Sequence, residues 1–101
     1  MWVFLPDSFI SLVENSEDRS TLLVRTRVRG HIEQNFPTVT VFQKKDADYQ
    51  FRSVVPRNVV ADMMVDQVNS INYGNFKNSV HNDELHMAYQ KVWSLMRTLQ
   101  H

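Results

Sequence analysis

Hydrophobic and polar positions alternate through the first half of the chain and change to helical spacing in the second. Phe9 to Val13 alternates bulky and small residues and is closed by the polar cluster Asn15-Ser16-Glu17-Asp18-Arg19-Ser20, which predicts a strand and then a hairpin-like loop. Thr21 to Val28 alternates strictly, with Leu22, Val24, Thr26 and Val28 on one face and Leu23, Arg25, Arg27 and Arg29 on the other. That pattern predicts a half-buried strand with a basic outer face. Gly30 to Phe36 is a short polar stretch, a turn or two of helix closed by Pro37. Val39 to Phe42 is β-branched and predicts a strand, Lys44-Lys45-Asp46-Ala47-Asp48 a turn, and Tyr49 to Val55 another strand with Tyr49, Phe51, Ser53 and Val55 sharing one face.

Pro56 then opens a helix, because a proline's missing N–H costs nothing in the first turn. Val59, Val60, Met63, Met64, Gln67, Val68 and Ile71 fall at helical spacing and carry it to about Ile71. Asn72 to Asn78, with Gly74, is a loop. A last helix, capped by Asn82 with Asp83 and Glu84 in its first turn, sets Leu85, Ala88, Tyr89, Val92, Met96 and Leu99 on one stripe. Trp2 to Leu5 makes an additional edge strand. The order predicts an α+β fold, an antiparallel sheet of four or five strands with two main helices on one face, in a single domain over residues 1–101. Its central β-α-β-β-α portion has the local order of a ferredoxin-like unit. The predicted core is Leu22, Val24, Val28, Val39, Val41, Val60, Met64, Val68, Leu85, Tyr89, Val92 and Met96.

Composition narrows the chemistry. The chain has no cysteine, which excludes disulfides, thiolate metal sites and a cysteine nucleophile. Met1 to Leu5 is apolar but has no basic flank, and Pro6-Asp7 interrupts it, so no targeting segment is expected. No run approaches the roughly 18 apolar residues of a membrane span, and a cytoplasmic protein is expected. The net charge of zero hides an asymmetry: from Arg19 to Arg57 there are eight basic residues against three acidic. A fold that gathers this middle segment on one surface would make it a basic patch.

Four segments taken together, Met1-Trp2-Val3-Phe4 with Phe9-Ile10-Ser11-Leu12-Val13, Asp48-Tyr49-Gln50-Phe51-Arg52, Ile71-Asn72-Tyr73-Gly74-Asn75-Phe76-Lys77 and Tyr89-Gln90-Lys91-Val92-Trp93, carry a likeness along nearly the whole chain. In this order they resemble a family of uncharacterised bacterial proteins of about this length that open Met-Trp-Leu-Phe and end in a Tyr-x-x-Val-Trp helix. The family has no assigned activity, so the resemblance implies one domain and supplies no catalytic residue. The chain departs from it between Phe36 and Ala47, which is shorter here.

Among candidate sites the arginine row is foremost. Same-face residues of a strand lie about 6.6–7 Å apart, near the spacing of phosphates along a nucleic acid, and guanidinium forks suit oxyanions. Arg25, Arg27, Arg29 and Arg52 are therefore candidates to bind a polyanion. The plainer account is a solvated face that keeps the sheet soluble. No aromatic interleaves the row in the sequence, so a nucleic acid is the less favoured partner.

The loop residues Tyr73, Asn75 and Lys77 are a second candidate site, although Gly74, Asn72, Tyr73 and Phe76 also suit a structured connection. Trp93, on the edge of the last helix's stripe, is a candidate partner anchor. His81 and His86 are five apart, which does not place two imidazoles on one helix face, and no metal or cofactor is expected. These features point to a small non-enzymatic interaction protein that binds another protein or its own copy, of which a phage- or plasmid-borne inhibitor of a host system would be one version. The alternative is a small enzyme acting on an anionic substrate in a cleft holding Arg52, Lys77 and His86.

Overall fold

The strict alternation at Thr21 becomes a central strand. In the computed structural model, which describes residues 1–101, β1 spans Trp2–Phe4, β2 Phe9–Glu14, β3 Thr21–Thr26, β4 Phe42–Gln43 and β5 Phe51–Pro56. Helix α1 spans His31–Asn35, α2 Arg57–Asn69 and α3 Asp83–Arg97, with a short 3-10 turn at Lys77–Ser79. The protein is therefore α+β, with a five-stranded antiparallel sheet in the order β1-β2-β3-β5-β4. The residues group into two compact units, Met1–Val3 with Phe9–Ile71, and Phe4–Ser8 with Asn72–His101.

In the first unit the register sorts the faces. Leu12 pairs with Val24, Val24 with Ser53, Leu22 with Val55 and Thr26 with Phe51. These face Ile32 and Phe36 of the α1 segment and Val60 and Met63 of α2, and the cluster is closed to solvent around Ile10, Val24, Ile32 and Val55. Burial of each such aliphatic is worth roughly 1.5–3 kcal/mol. Because β5 is antiparallel to both β3 and β4, the latter two run parallel with β5 between them. The connection from β3 to β4 is therefore a split β-α-β arrangement that passes through α1. Here the strand flanking β3 on the far side, β2, precedes the crossover in the chain.

Local chemistry sets the boundaries. The Asp18 carboxylate accepts from the Ser20 N–H at 3.0 Å and from the Ser20 hydroxyl at 2.6 Å, closing the β2–β3 hairpin and holding the Asp18 carboxyl below its ordinary value. The strand β3 stops at Thr26, whose hydroxyl donates to Val28 O at 3.2 Å and turns the chain. Gly30, at φ 95°, then takes the left-handed conformation that opens α1. The predicted strand over Val39 to Phe42 shortens to β4, because the Ser53 hydroxyl donates to Thr40 O at 2.7 Å in place of a ladder bond. Asn82 caps α3 through the Leu85 N–H at 3.0 Å, as its position predicts.

Several expected core positions are corrected. Val28 lies past the end of β3 and is 47% exposed. In α2 the covered line runs through Val60 and Met63 to Gln67, whose amide donates to Asn35 Oδ1 at 3.3 Å, so Val68 falls outside it and is 61% exposed. Met96 lies in the last turn of α3 and is 58% exposed. Val24, Val60 and Tyr89 are buried, while Leu22, Val39, Val41, Met64, Leu85 and Val92 are partly buried. The face assigned to Tyr49 also changes: β5 begins only at Phe51, and Tyr49 is buried beneath arginines of the opposite face.

Candidate functional site

The sheet face opposite the core carries the arginines. Across the three central strands Ser11 pairs with Arg25 and Arg25 with Arg52, so two arginines are cross-strand partners. Like charges at such positions repel. Ser11 is buried and its Oγ accepts from Arg25 Nη2 at 2.9 Å. Arg52 donates from Nε to Tyr49 O at 3.1 Å and approaches the Asp48 carboxylate at 3.7 Å, with its side chain 15% exposed. Arg25 and Arg27 each place a guanidinium carbon 4.5 Å from the centroid of the Tyr49 ring. Arg29, beyond the strand's end, lies instead 4.9 Å from the Phe51 centroid.

These contacts correct the expectation of a row of solvated arginines. Arg27 and Arg29 are exposed, whereas Arg25 and Arg52 are drawn into the sheet surface and gathered around Tyr49. Arg25 Nε is buried with no protein acceptor, a deficit that ordinarily costs about 1–3 kcal/mol, more for a charged group. One carboxylate at 3.7 Å is the countercharge the immediate cluster contains.

The second unit holds a groove of about 410 Å³. Phe4, Phe76, Tyr89 and Val92 line its inner surface, and Asn75, Lys77, Trp93 and Met96 complete it. Its floor is a run of aromatic contacts: Tyr89 meets the edge of Phe4 at 5.3 Å and stacks with Phe76 at 5.5 Å, and Tyr73 tilts against Phe76 at 5.9 Å. The Tyr89 hydroxyl lies 3.0 Å from Leu5 O and 2.9 Å from Ser8 O and donates to them, which fixes the 4–8 segment against α3. Burial, with the Asp7 carboxylate adding to it, pushes the Tyr89 phenol well above its ordinary value and keeps it a neutral donor.

The Lys77 ammonium lies 4.0 Å from the Trp93 ring centroid, and the Arg97 guanidinium approaches the same ring at 5.7 Å. The groove is thus apolar within and cationic at the indole, which is itself 46% exposed. Four of the residues singled out from sequence come together here: Asn75, Lys77 and Trp93 as lining and Tyr73 behind Phe76. His86 is half-buried on α3 and does not line the groove, while Arg52 belongs to the first unit with Tyr49 and Asp48.

Sequence reasoning missed Phe4, Val92 and Met96 as groove residues and Tyr49 as the platform of the arginines. The signal for the groove was the run Leu85, Tyr89, Val92, Met96 and Leu99, whose steps of four and three mark a helix seam that can face a partner as well as a core. For Tyr49 the signal was the Asp48-Tyr49 break before the strand. No group of acidic and histidine residues is placed to hold a metal ion, and no helix is long and apolar enough to cross a membrane. No protein-family model, curated protein or solved structure matches this chain.

Proposed function

We propose that this protein is an interaction module whose α3 groove takes an apolar side chain of a partner protein segment flanked by carboxylates. The observation that carries the reading is the ring of Trp93 at the groove mouth with Lys77 at 4.0 Å and Arg97 at 5.7 Å. The volume of about 410 Å³ is within the range of formed small-ligand sites and suits an anchor side chain. Exposed aromatic anchors dominate binding energy when a partner desolvates them. Two cations on one indole also set the partner's charge, because an acidic neighbour of the anchor gains where a basic one is repelled.

The test is selection of a random peptide library on the immobilised full chain. Enriched sequences should share an aromatic or aliphatic anchor with Asp or Glu within a few positions. Trp93→Ala should abolish the enrichment, and Lys77→Glu should shift the flanking preference towards Lys and Arg. Enrichment that ignores Trp93→Ala, or flanks indifferent to Lys77→Glu, would overturn the reading.

A further inference from the structure

The arginine cluster of the sheet has no part in that groove, and its geometry calls for a ligand of its own. Arg25 and Arg52 are cross-strand partners on β3 and β5, Arg27 shares the Tyr49 ring with Arg25, and a single carboxylate lies 3.7 Å from Arg52. We propose that Arg25 and Arg52, supported by Arg27, form a binding site for a phosphate dianion, free or carried as a monoester. The cluster carries three positive charges against one negative, a surplus that a phosphate dianion would balance.

The forks are held before any ligand arrives. Arg25 is tied by Nη2 to the buried Ser11 hydroxyl at 2.9 Å, and Arg52 by Nε to Tyr49 O at 3.1 Å. These contacts leave further Nη donors on both forks, although Arg25 Nε is buried and Arg52 Nη2 lies 3.7 Å from Asp48, so much of the ordering that binding would otherwise require is already in place. An anion that neutralises the surplus positive charge at cross-strand partners would give occupancy a stabilising effect on the sheet. The compactness of the cluster favours one phosphate over a polynucleotide: Arg25 and Arg27 converge on one ring, and Arg29 is diverted to Phe51.

Calorimetric titration of the full chain with phenyl phosphate and with inorganic phosphate, at constant ionic strength balanced by chloride, tests the site. One equivalent should bind, with a rise in Tm of roughly 5 °C at ten times the dissociation constant. Arg52→Gln should weaken binding tenfold or more, and Arg52→Lys should weaken it as well because the ammonium lacks the fork, while Lys45→Gln in the β4–β5 turn should leave it unchanged. Phenyl phosphate binding more tightly than inorganic phosphate assigns the site to a phosphorylated group, and equal affinities assign it to free phosphate. Binding no stronger than that of chloride would overturn the proposal. Full affinity in a folded Arg52→Gln variant, or a response confined to oligonucleotides, would overturn it equally. Circular dichroism of each variant separates lost binding from lost fold.

Discussion

Tyr89→Phe removes one oxygen and nothing else from the second unit. The ring keeps its edge contact with Phe4 at 5.3 Å and its stack on Phe76 at 5.5 Å, so packing is conserved and the hydroxyl is isolated. What is lost is a donor serving Leu5 O at 3.0 Å and Ser8 O at 2.9 Å. Both residues are buried, and Ser8 O retains one other donor, the Leu5 N–H at 2.8 Å. One net hydrogen bond, with a buried carbonyl left short, is worth about 1–2 kcal/mol. For a chain of this size that lowers Tm by roughly 5–10 °C. The pH dependence supplies an independent check. The folded phenol is raised above its unfolded value, so its contribution is complete below the ordinary tyrosine range near pH 10 and is lost as pH rises through the folded value. Urea unfolding of both proteins at pH 7, 9 and 10.5 measures it. The native protein should lead by the full difference at pH 7 and 9 and by less at 10.5. Equal midpoints at pH 7, or a gap that widens towards pH 10.5, would refute the account of Tyr89 as a neutral buried donor.

Two further outcomes test the first unit. Val24→Asp buries a carboxylate where Val24 is wholly enclosed between Leu12 and Ser53, and should abolish the cooperative thermal transition; a transition unaltered by it would mean that the strand faces are inverted. Ser53→Ala removes the 2.7 Å bond to Thr40 O and should cost about 1–2 kcal/mol in urea unfolding, with amide exchange accelerated in β4; unchanged exchange there would mean that the hydroxyl does not define the short strand.

The fold was legible where one face of an element is buried and the other is not. Alternation in Thr21 to Thr26 and in Phe51 to Val55, the proline before α2 and the Asn82 cap each carry their own local physics, and the structure follows them. The end of β3 was not legible, because it is decided by a Thr26 hydroxyl bonding two residues on, a choice that alternation cannot register. Nor was the fate of the α3 seam. A 3-4 spacing of apolar residues marks a face to be covered but is silent on whether the cover belongs to the same chain, and Met96 and Leu99 remain exposed. The arginine site was half legible. Alternation put Arg25 and Arg27 on one strand face, but the pairing of Arg25 with Arg52 depends on strand order, and the burial of Tyr49 beneath Arg25 and Arg27 depends on where β5 begins.

The two cations at the groove do not have equal claims to a binding role. The second unit contains three basic and three acidic residues, so its cationic mouth arises from placement rather than from net charge. Asp83 and Glu84 stand in the first turn of α3 and Arg97 in its last, where each complements the helix dipole and steadies the helix. Arg97 therefore has a structural reason to be where it is, at 5.7 Å from the indole. Lys77 has none of that kind: it lies in the short turn before α3, with no carboxylate paired to it, and sits 4.0 Å from the same indole. A cation over an exposed ring gains only about 0.5–1 kcal/mol in water, and the contact strengthens when a partner excludes solvent from it. Holding a lysine there contributes little to the free protein and more to a complex. That asymmetry is why reversal of charge at Lys77, rather than at Arg97, should change which peptides the groove selects without first weakening the helix that builds it.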